Sequence, residues 1–356
     1  MQKTWRILDT GLRPAAENIA LNRALLEARQ ANEAPSTLRF LRFKPSALLG
    51  FHQSAEQELN LDYCRAQGVT IQRRITGGGA IYFDETQLGW ELYLHKSDLA
   101  CVDMQAISQR ICTAAAGAIR TLGVPAHYRP RNDIEVDGRK ISGTGGAFDE
   151  DALLFQGTLL IQFDVEKMLR VLRIPVEKLS DKAIASARER VANLADLLGE
   201  APALALVQAR FAEAFAAEFD VCFEPGVLMA QEQARYAAAL LEIDCEDWVH
   251  LSRGAAADIP TLQAAMKFPA GLLQAQVVYD AARQRIQQVW FSGDFFISPR
   301  RTIADLEAHL RNSDARSLRQ HIETFFAQRT VDMLGLSAQD FVTVLEAALA
   351  SKAVSA

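Results

Sequence analysis

At 356 residues the chain is longer than one hydrophobic core usually serves, which predicts one large domain and a smaller one. Its composition, 49% hydrophobic and 23% charged, is that of an ordinary globular protein, and a formal charge of -6 lacks the positive field on which a nucleic-acid surface depends. The opening MQKTWRILDTGL has no apolar signal core, and no later stretch has the roughly 18 uninterrupted apolar residues of a membrane span. A cytoplasmic protein without a membrane segment is therefore expected. Cys64, Cys101, Cys112, Cys222 and Cys245 are odd in number, widely spaced and free of any Cys-x-x-Cys pair, so neither a disulfide framework nor a zinc site is expected.

The segment AAENIALNRALLEARQ (15–30) has apolar residues at helical spacing, with Pro14 where a helix start tolerates proline. TLRFLRF (37–43) and SALLGFH (46–52) read as strands of one hairpin, split by Lys44-Pro45. LNLDYCRAQG (59–68) reads as a short helix stopped by Gly68, and VTIQRR as a strand entering the run Gly77-Gly78-Gly79. LGWELYL (88–94) is a strand and MQAISQRICTAAAGAIRTLG (104–123) a long helix. In NDIEVDGRKISG the pair Asp137-Gly138 sits between alternating residues, a hairpin signal. ALLFQGTLLIQF (152–163) is apolar on both faces, as a central strand would be. From about Pro202 the chain turns alanine-rich and helical. A boundary near Leu251 divides a domain of residues 1–250 from one of 251–356, in which 271–297 reads as two or three strands and IADLEAHLRN and 337–350 as helices.

The three glycines lie between strands, whereas a dinucleotide-binding turn or a P-loop needs a helix after its glycines. Bare backbone between strands is entropically costly and points to close approach of something to the main chain. Arg73, Arg74 and Thr76 beside it suggest an anion-holding loop. The second cluster is RNDIEVDGRKISGTGG (131–146), where alternation puts Ile134 and Val136 on one face, and Asp133 and Glu135 on the other. Lys140 likewise points away from the side of Ile141. Two glycine loops, a lysine, two arginines and the Asn132-Asp133 pair suit one problem, bringing a carboxylate against the α-phosphate of a nucleotide. Both reactants are anions, so cations must bridge them. Lysine serves as a compact point charge, arginine as a fork for phosphate oxygens, and Asp133 as a Mg²⁺ ligand.

RRITGGGAIYFD, NDIEVDGRKISGTGG, LLFQGTLLIQFD and KAIASARERVANL, in that order, resemble the lipoate-protein ligase A family of the biotin/lipoate A/B ligase superfamily. The likeness runs from about residue 5 to about residue 250, and KFPAGLL with SGDFF resembles the family's C-terminal accessory domain. It implies a two-step reaction in which lipoate and MgATP give lipoyl-adenylate, and the lipoyl group then passes to a lysine ε-amine on a carrier. It also implies an α+β fold with a mixed, largely antiparallel sheet flanked by helices, like the catalytic fold of class II synthetases and biotin ligases, plus a small α+β accessory domain that closes over the site. Residue by residue, Lys140 is the central catalytic cation. Arg74, Gly77, Gly78, Gly79 and Ala80 hold the adenylate and acyl carboxyl end; Asn132 and Asp133 face the nucleotide, with Asp133 on Mg²⁺; Gln156, Gly157 and Thr158 line the site; Lys182 reaches the phosphate. The expected partner is a lipoyl carrier: the lipoyl domain of a 2-oxoacid dehydrogenase, the glycine-cleavage H protein or a lipoate-binding protein. Arg129 and Arg131 are candidates for touching it, and a monomer is expected.

Two positions depart from the family pattern. Phe83 replaces the histidine of GGGAVFHD, and Phe155-Gln156 replaces the pair in HHGTLL. Leu49, Phe51, Ile81, Phe83 and Phe155 could line an acyl slot, with His52 at its border. Burial at about 0.8 kcal/mol per methylene gives affinity but little discrimination between lipoate and octanoate. The alternatives are a cysteine-dependent octanoyl or lipoyl transferase, a biotin ligase, and a non-catalytic acyl-binding homologue. A transferase needs a nucleophilic thiol, and only Cys101 lies plausibly near the site by sequence.

Overall fold

The computed structural model describes residues 3–130, 132–173, 187–251 and 260–351. The chain divides into two compact units: Met1–Leu48, Leu59–Gln72 and Ile81–Cys245 form one, and Leu49–Glu58, Arg73–Ala80 and Glu246–Ala356 the other. Two short pieces of the N-terminal half, including the glycine run, thus group with the C-terminal residues.

The first unit is built on an eight-stranded sheet. Its strands are β1 (Lys3–Arg13), β2 (Thr37–Phe43), β6 (Gln87–His95), β7 (His127–Arg129), β8 (Asp133–Val136), β9 (Arg139–Asp149), β10 (Ala152–Leu160) and β11 (Val221–Pro225). They run in the order β11-β1-β2-β6-β10-β9-β8-β7. β1 is parallel to both of its neighbours and every other pairing is antiparallel, so the sheet is mixed and largely antiparallel, as expected. Helix α1 (Ala15–Gln30) covers one face, while α2 (Met104–Thr121) and α3 (Leu204–Phe219) cover the other. α1 is backed in turn by α4 (Ala230–Ile243). That double coverage explains why β10 reads as apolar on both sides. On the α2/α3 face the core closes around Trp90, fully buried, with the rings of Phe211 and Phe215 at 5.9 and 5.3 Å. Asp103 caps α2 by accepting from the Ala106 N–H, satisfying one of the orphan donors of a helix start.

β1 has no strand signal in the sequence because its register slips between Asp9 and Leu12, where Gly11 takes φ +68°, and its burial does not alternate. The expected hairpin of 37–43 with 46–52 does not form. β3 (Ser46–Leu49) leaves the large sheet and joins β4 (Thr70–Arg73) and β5 (Ile81–Phe83) in a three-stranded sheet of order β4-β3-β5. β2 spends its two edges on β1 and β6, so no edge is left for β3.

In the second unit an antiparallel sheet of order β12-β13-β14-β16 runs through Leu262–Phe268, Gly271–Asp280, Arg285–Gly293 and Ser313–Asp314. Leu273, Ala275 and Val277 face inward with Ile286, Val289 and Phe291. The uneven spacing of the second set follows from a register shift at Val278/Tyr279. Helices α5 (Thr302–Leu310), α6 (Leu318–Ala327) and α7 (Ala338–Ala350) complete this core, and β15 (Ile297–Ser298) pairs with β17 (Asp332–Met333). Among the described residues no helix is long and apolar enough to cross a membrane.

Candidate active site

The β8–β9 hairpin positions Lys140. Asp137 and Gly138 take φ of 52° and 75°, the left-handed pair of a tight two-residue turn, so the register beyond it is fixed. A shift between Ile134 and Glu135 then sets Lys140 opposite Glu135 and Asp133 opposite Gly143. The Lys140 main chain is bracketed as well, its N–H donating to the Arg190 carbonyl and its carbonyl accepting from the Ala192 N–H, both at 2.8 Å. With the backbone held, the side chain folds along β9. Its Cε and Nζ lie 2.9 and 2.8 Å from where a Cβ on Gly143 would stand, and Nζ is 2.7 Å from Asp133 Oδ1. The ammonium is therefore seated over bare strand, half exposed at 41% while Asp133 is 23% exposed.

Asp133, Gly143 and Thr158 form one row across β8, β9 and β10, and Gln156 with Gly145 form the next on the same face. Thr158 Oγ1 accepts from the Gly143 N–H at 3.4 Å, and Gln156 Nε2 donates to Glu91 Oε1 at 2.8 Å. Asn132 is fixed by its carbonyl, which accepts from both the N–H and the hydroxyl of Thr144, at 2.8 and 2.9 Å. The structure thus brings Asn132, Asp133, Lys140, Gln156 and Thr158 together. Gly157 faces the opposite side, where a Cβ would collide with the indole of Trp90. Phe155 also turns into that core, stacked on Trp90 at 6.2 Å, and not toward the Lys140 face. Phe83 is buried against Phe43 at 4.8 Å. Lys182 and Arg131 lie outside the described residues. Arg129 is exposed on β7, 3.5 Å from Glu135.

Asp133 Oδ1 makes no hydrogen bond of good geometry among the described residues, its contact to Lys140 being an ion pair. Magnesium is held by one or two carboxylates together with substrate phosphates, so a single such oxygen fits the donor set it needs. No cluster of three or more His, Cys, Asp or Glu suited to a metal occurs among the described residues.

The glycine run belongs to the second unit. Arg74, half-buried, donates from Nη2 to the carbonyls of Gly77 and Gly79 at 3.0 and 2.9 Å, so the loop wraps its guanidinium. Burial, and Arg73 beside it, lower its pKa to about 10. A Cβ on Gly77 would collide with the Phe295 carbonyl, and one on Gly78, at φ +90°, would stand 3.0 Å from the Phe296 ring. The close approach read from the bare sequence is therefore made by the protein itself, by backbone at Gly77 and by an aromatic side chain at Gly78. Gly79 is exposed, with only ordinary contact to Asp294, and Ala80 is half-buried. Arg73, read from sequence as a second anion-side cation, is fully buried. It donates to the carbonyls of Gly50, Phe51 and Gln53 and to those of Trp248 and Val249, tying two chain segments together. His52 is buried with its ring stacked 5.0 Å from Phe295, and burial, then the charges of Arg73 and Arg300, lower its pKa to about 3, so it is neutral.

Sequence reasoning named the exposed Cys101 as the cysteine nearest the site, whereas the cysteine packed against β9 is the buried Cys112, in the Trp90 core on the side of the sheet away from Lys140. Cys112 Sγ lies 3.2 Å from Thr144 Oγ1, on the strand face opposite Gly143. Burial pushes the thiol up to about 11. The sequence signal was the helical face of α2, on which Ile107, Ile111, Cys112 and Ala115 are all buried.

The family described as the lipoyl protein ligase A/B catalytic domain matches residues 14–216. The octanoyltransferase LipM of Symbiobacterium thermophilum is 30% identical over 273 residues, covering 70% of this chain and 98% of the relative. Subunit 1 of lipoate-protein ligase A from Thermoplasma acidophilum is 32% identical over 191 residues, covering 51% of this chain and 71% of the relative. A solved bipartite lipoate protein ligase from Thermoplasma acidophilum, studied with its E2 lipoyl domain, superposes with TM-score 0.63 at 27% identity, over 71% of this chain and 99% of that one. The resemblance carried by the four sequence blocks is borne out, and the chain belongs to the lipoyl protein ligase A/B catalytic-domain family.

Proposed function

We propose that the chain is an ATP-dependent lipoate-protein ligase that adenylates lipoate and passes the acyl group to one lysine of a lipoyl carrier domain in the cytoplasm. The observation that carries this reading is the Lys140 ammonium, fixed over Gly143 by Asp133. A fixed cation is what two repelling anions need in order to meet, and its worth rises when water is excluded. Lys140 would sit between the lipoate carboxylate and the α-phosphate, and afterwards on the oxyanion that forms when the carrier amine attacks. Arg74 would steady the acyl-adenylate from the glycine loop. Asp133 would hold magnesium, which when bound supplies charge neutralisation on the phosphates. Residues 251–356 would serve as an accessory domain that shields the adenylate from water.

The relatives divide between ligases and transferases, and the 30% identity to an octanoyltransferase keeps the second reading in play. A transferase takes an already activated thioester and needs a thiolate nucleophile. Here the sequence between Cys112 and Cys222 holds no cysteine, and burial pushes the Cys112 thiol up to about 11. The decisive experiment is lipoate-dependent ATP–pyrophosphate exchange, followed by mass spectrometry of apo-carriers incubated with lipoate and MgATP. The ligase reading expects exchange and a lipoyl mass gain, both reduced at least a hundredfold by Lys140→Ala. Acylation from a thioester donor without any exchange would establish the transferase instead.

A further inference from the structure

The row that seats the Lys140 ammonium does not end at Asp133. In the pairing of β7 with β8, Arg129 stands directly opposite Asp133, and His127 opposite Glu135, so these four side chains share one face of the sheet, the face of the ammonium. Followed across the strands, the row runs Arg129, Asp133, Gly143 with the ammonium above it, Thr158 and Gly89. Its charges are a cation, an anion and a cation, and past the ammonium it continues uncharged. Neighbouring strands lie about 4.8 Å apart, which puts Arg129 and Gly143 roughly 10 Å apart along the row. Arg129 is exposed, and its Nη1 reaches Glu135 Oε2 at 3.5 Å, the long end of a hydrogen bond. Glu135 is half-buried and pairs through its other oxygen with His127 Nε2 at 3.0 Å, so it anchors the arginine without filling the guanidinium fork. An exposed ion pair of that length contributes little to stability, whereas the fork of an arginine matches phosphate oxygens.

We propose that Arg129 binds the outer phosphates of the nucleotide and that Glu135 is the residue that positions it. This inference rests on the ligase reading. With the α-phosphate at the Lys140 ammonium, the β- and γ-phosphates extend either over Asp133 toward Arg129 or over Thr158 toward Gly89. Within this row, and among the described residues, only the first direction meets a second cation, and a polyphosphate needs its charge matched along its length. In the chemical step an oxygen of the lipoate carboxylate bonds to the α-phosphorus, the bond from that phosphorus to the bridging oxygen breaks, and its electron pair leaves with pyrophosphate. Arg129 takes up the charge that grows on this leaving group, while Lys140 stays with the acyl-adenylate. Transfer to the carrier involves no pyrophosphate, so Arg129 has no part in it. Its place in the row assigns Arg129 to the nucleotide and not to the carrier contact that the sequence suggests.

Calorimetric titration of the full chain with MgATP and with AMP separates the outer phosphates from the rest of the nucleotide. Arg129→Met, which keeps a straight side chain and drops the charge, is expected to weaken MgATP binding at least tenfold and AMP binding less than twofold. Because Arg129 is exposed on an edge strand, the melting temperature should not change. Single-turnover transfer from synthetic lipoyl-adenylate to an apo lipoyl domain should keep its rate and its KM for the domain. Glu135→Gln, which loosens the anchor, should weaken MgATP binding severalfold in the wild type and not at all on top of Arg129→Met. Unchanged MgATP affinity in Arg129→Met, or equal losses for MgATP and AMP, would overturn the proposal. So would a raised KM for the lipoyl domain with MgATP binding intact, and additive losses from the two substitutions would overturn the role of Glu135. A wild type with neither lipoate-dependent exchange nor MgATP binding would sink the ligase reading, and this proposal with it.

Discussion

Lys140 and Cys112 show how differently two reactive side chains can be set by the two faces of one strand. The lysine stands over Gly143 because the register shift at Ile134/Glu135 sets it opposite Glu135, on the face of Asp133; unbroken alternation would put Lys140 and Gly143 on opposite faces. The cysteine is on α2, which packs against the other face of β9, where its sulfur meets Thr144. With burial pushing its thiol up to about 11, Cys112 is almost wholly un-ionised at neutral pH. Native protein at pH 7.5 should therefore alkylate at the exposed Cys101, Cys222 and Cys245 well before Cys112, as peptide mass mapping would show. Cys112→Ser should keep at least half of wild-type turnover. A loss of a hundredfold or more would mean the sulfur does chemistry.

At the scale of the element, β9 and β10 carry glycines that sequence alone treats alike. Gly143 lies under the terminal carbon and nitrogen of Lys140, a flexible end that can move aside. Gly157 lies against the rigid indole of Trp90. Gly143→Ala is therefore expected to lower melting temperature little, since it meets only a mobile chain end, while displacing the ammonium and cutting turnover tenfold or more. Gly157→Ala should do the reverse, costing about 1 to 3 kcal/mol through overpacking and leaving the turnover of the folded fraction near wild type. Denaturant melts and active-site-normalised rates on the two variants separate these outcomes. The pairing of β8 with β9 shows why the bulge at Ile134/Glu135 was not legible: the hydrophobic pattern is unchanged by it, yet it decides which residue stands opposite Asp133.

Across the whole molecule, pH dependence of stability has an identifiable source in the second unit. Glu307 is half-buried on α5, accepts from the Phe291 N–H at 2.7 Å, and loss of solvent around it raises its pKa to about 7 from 4.5. The folded state therefore binds the proton more tightly than the unfolded chain does. Its contribution is fully present below about pH 4.5 and is lost as pH rises to about 7, by on the order of 3 kcal/mol. Glu307→Gln keeps an acceptor for Phe291 without the desolvated charge. It should be more stable than wild type at pH 8 and about equal to it at pH 5, as paired urea melts would show. A constant difference between the two pH values would contradict this account.

The sequence by itself determined the class of fold, the central place of β10, the hairpin at Asp137-Gly138 and the face of β8 that holds Asp133 and Glu135. Each rests on local periodicity or turn chemistry, which act over a few residues. It also determined the family, because four ordered blocks are specific where each alone is weak. Only the tertiary structure decided that Arg73 is a buried tie between segments, that Phe155 and Gly157 face the Trp90 core, that β3 leaves β2 for another sheet, and that the glycine run groups with C-terminal residues. These turn on partners far along the chain or on competition between strand edges, and one-dimensional pattern carries no information about which distant group will be there.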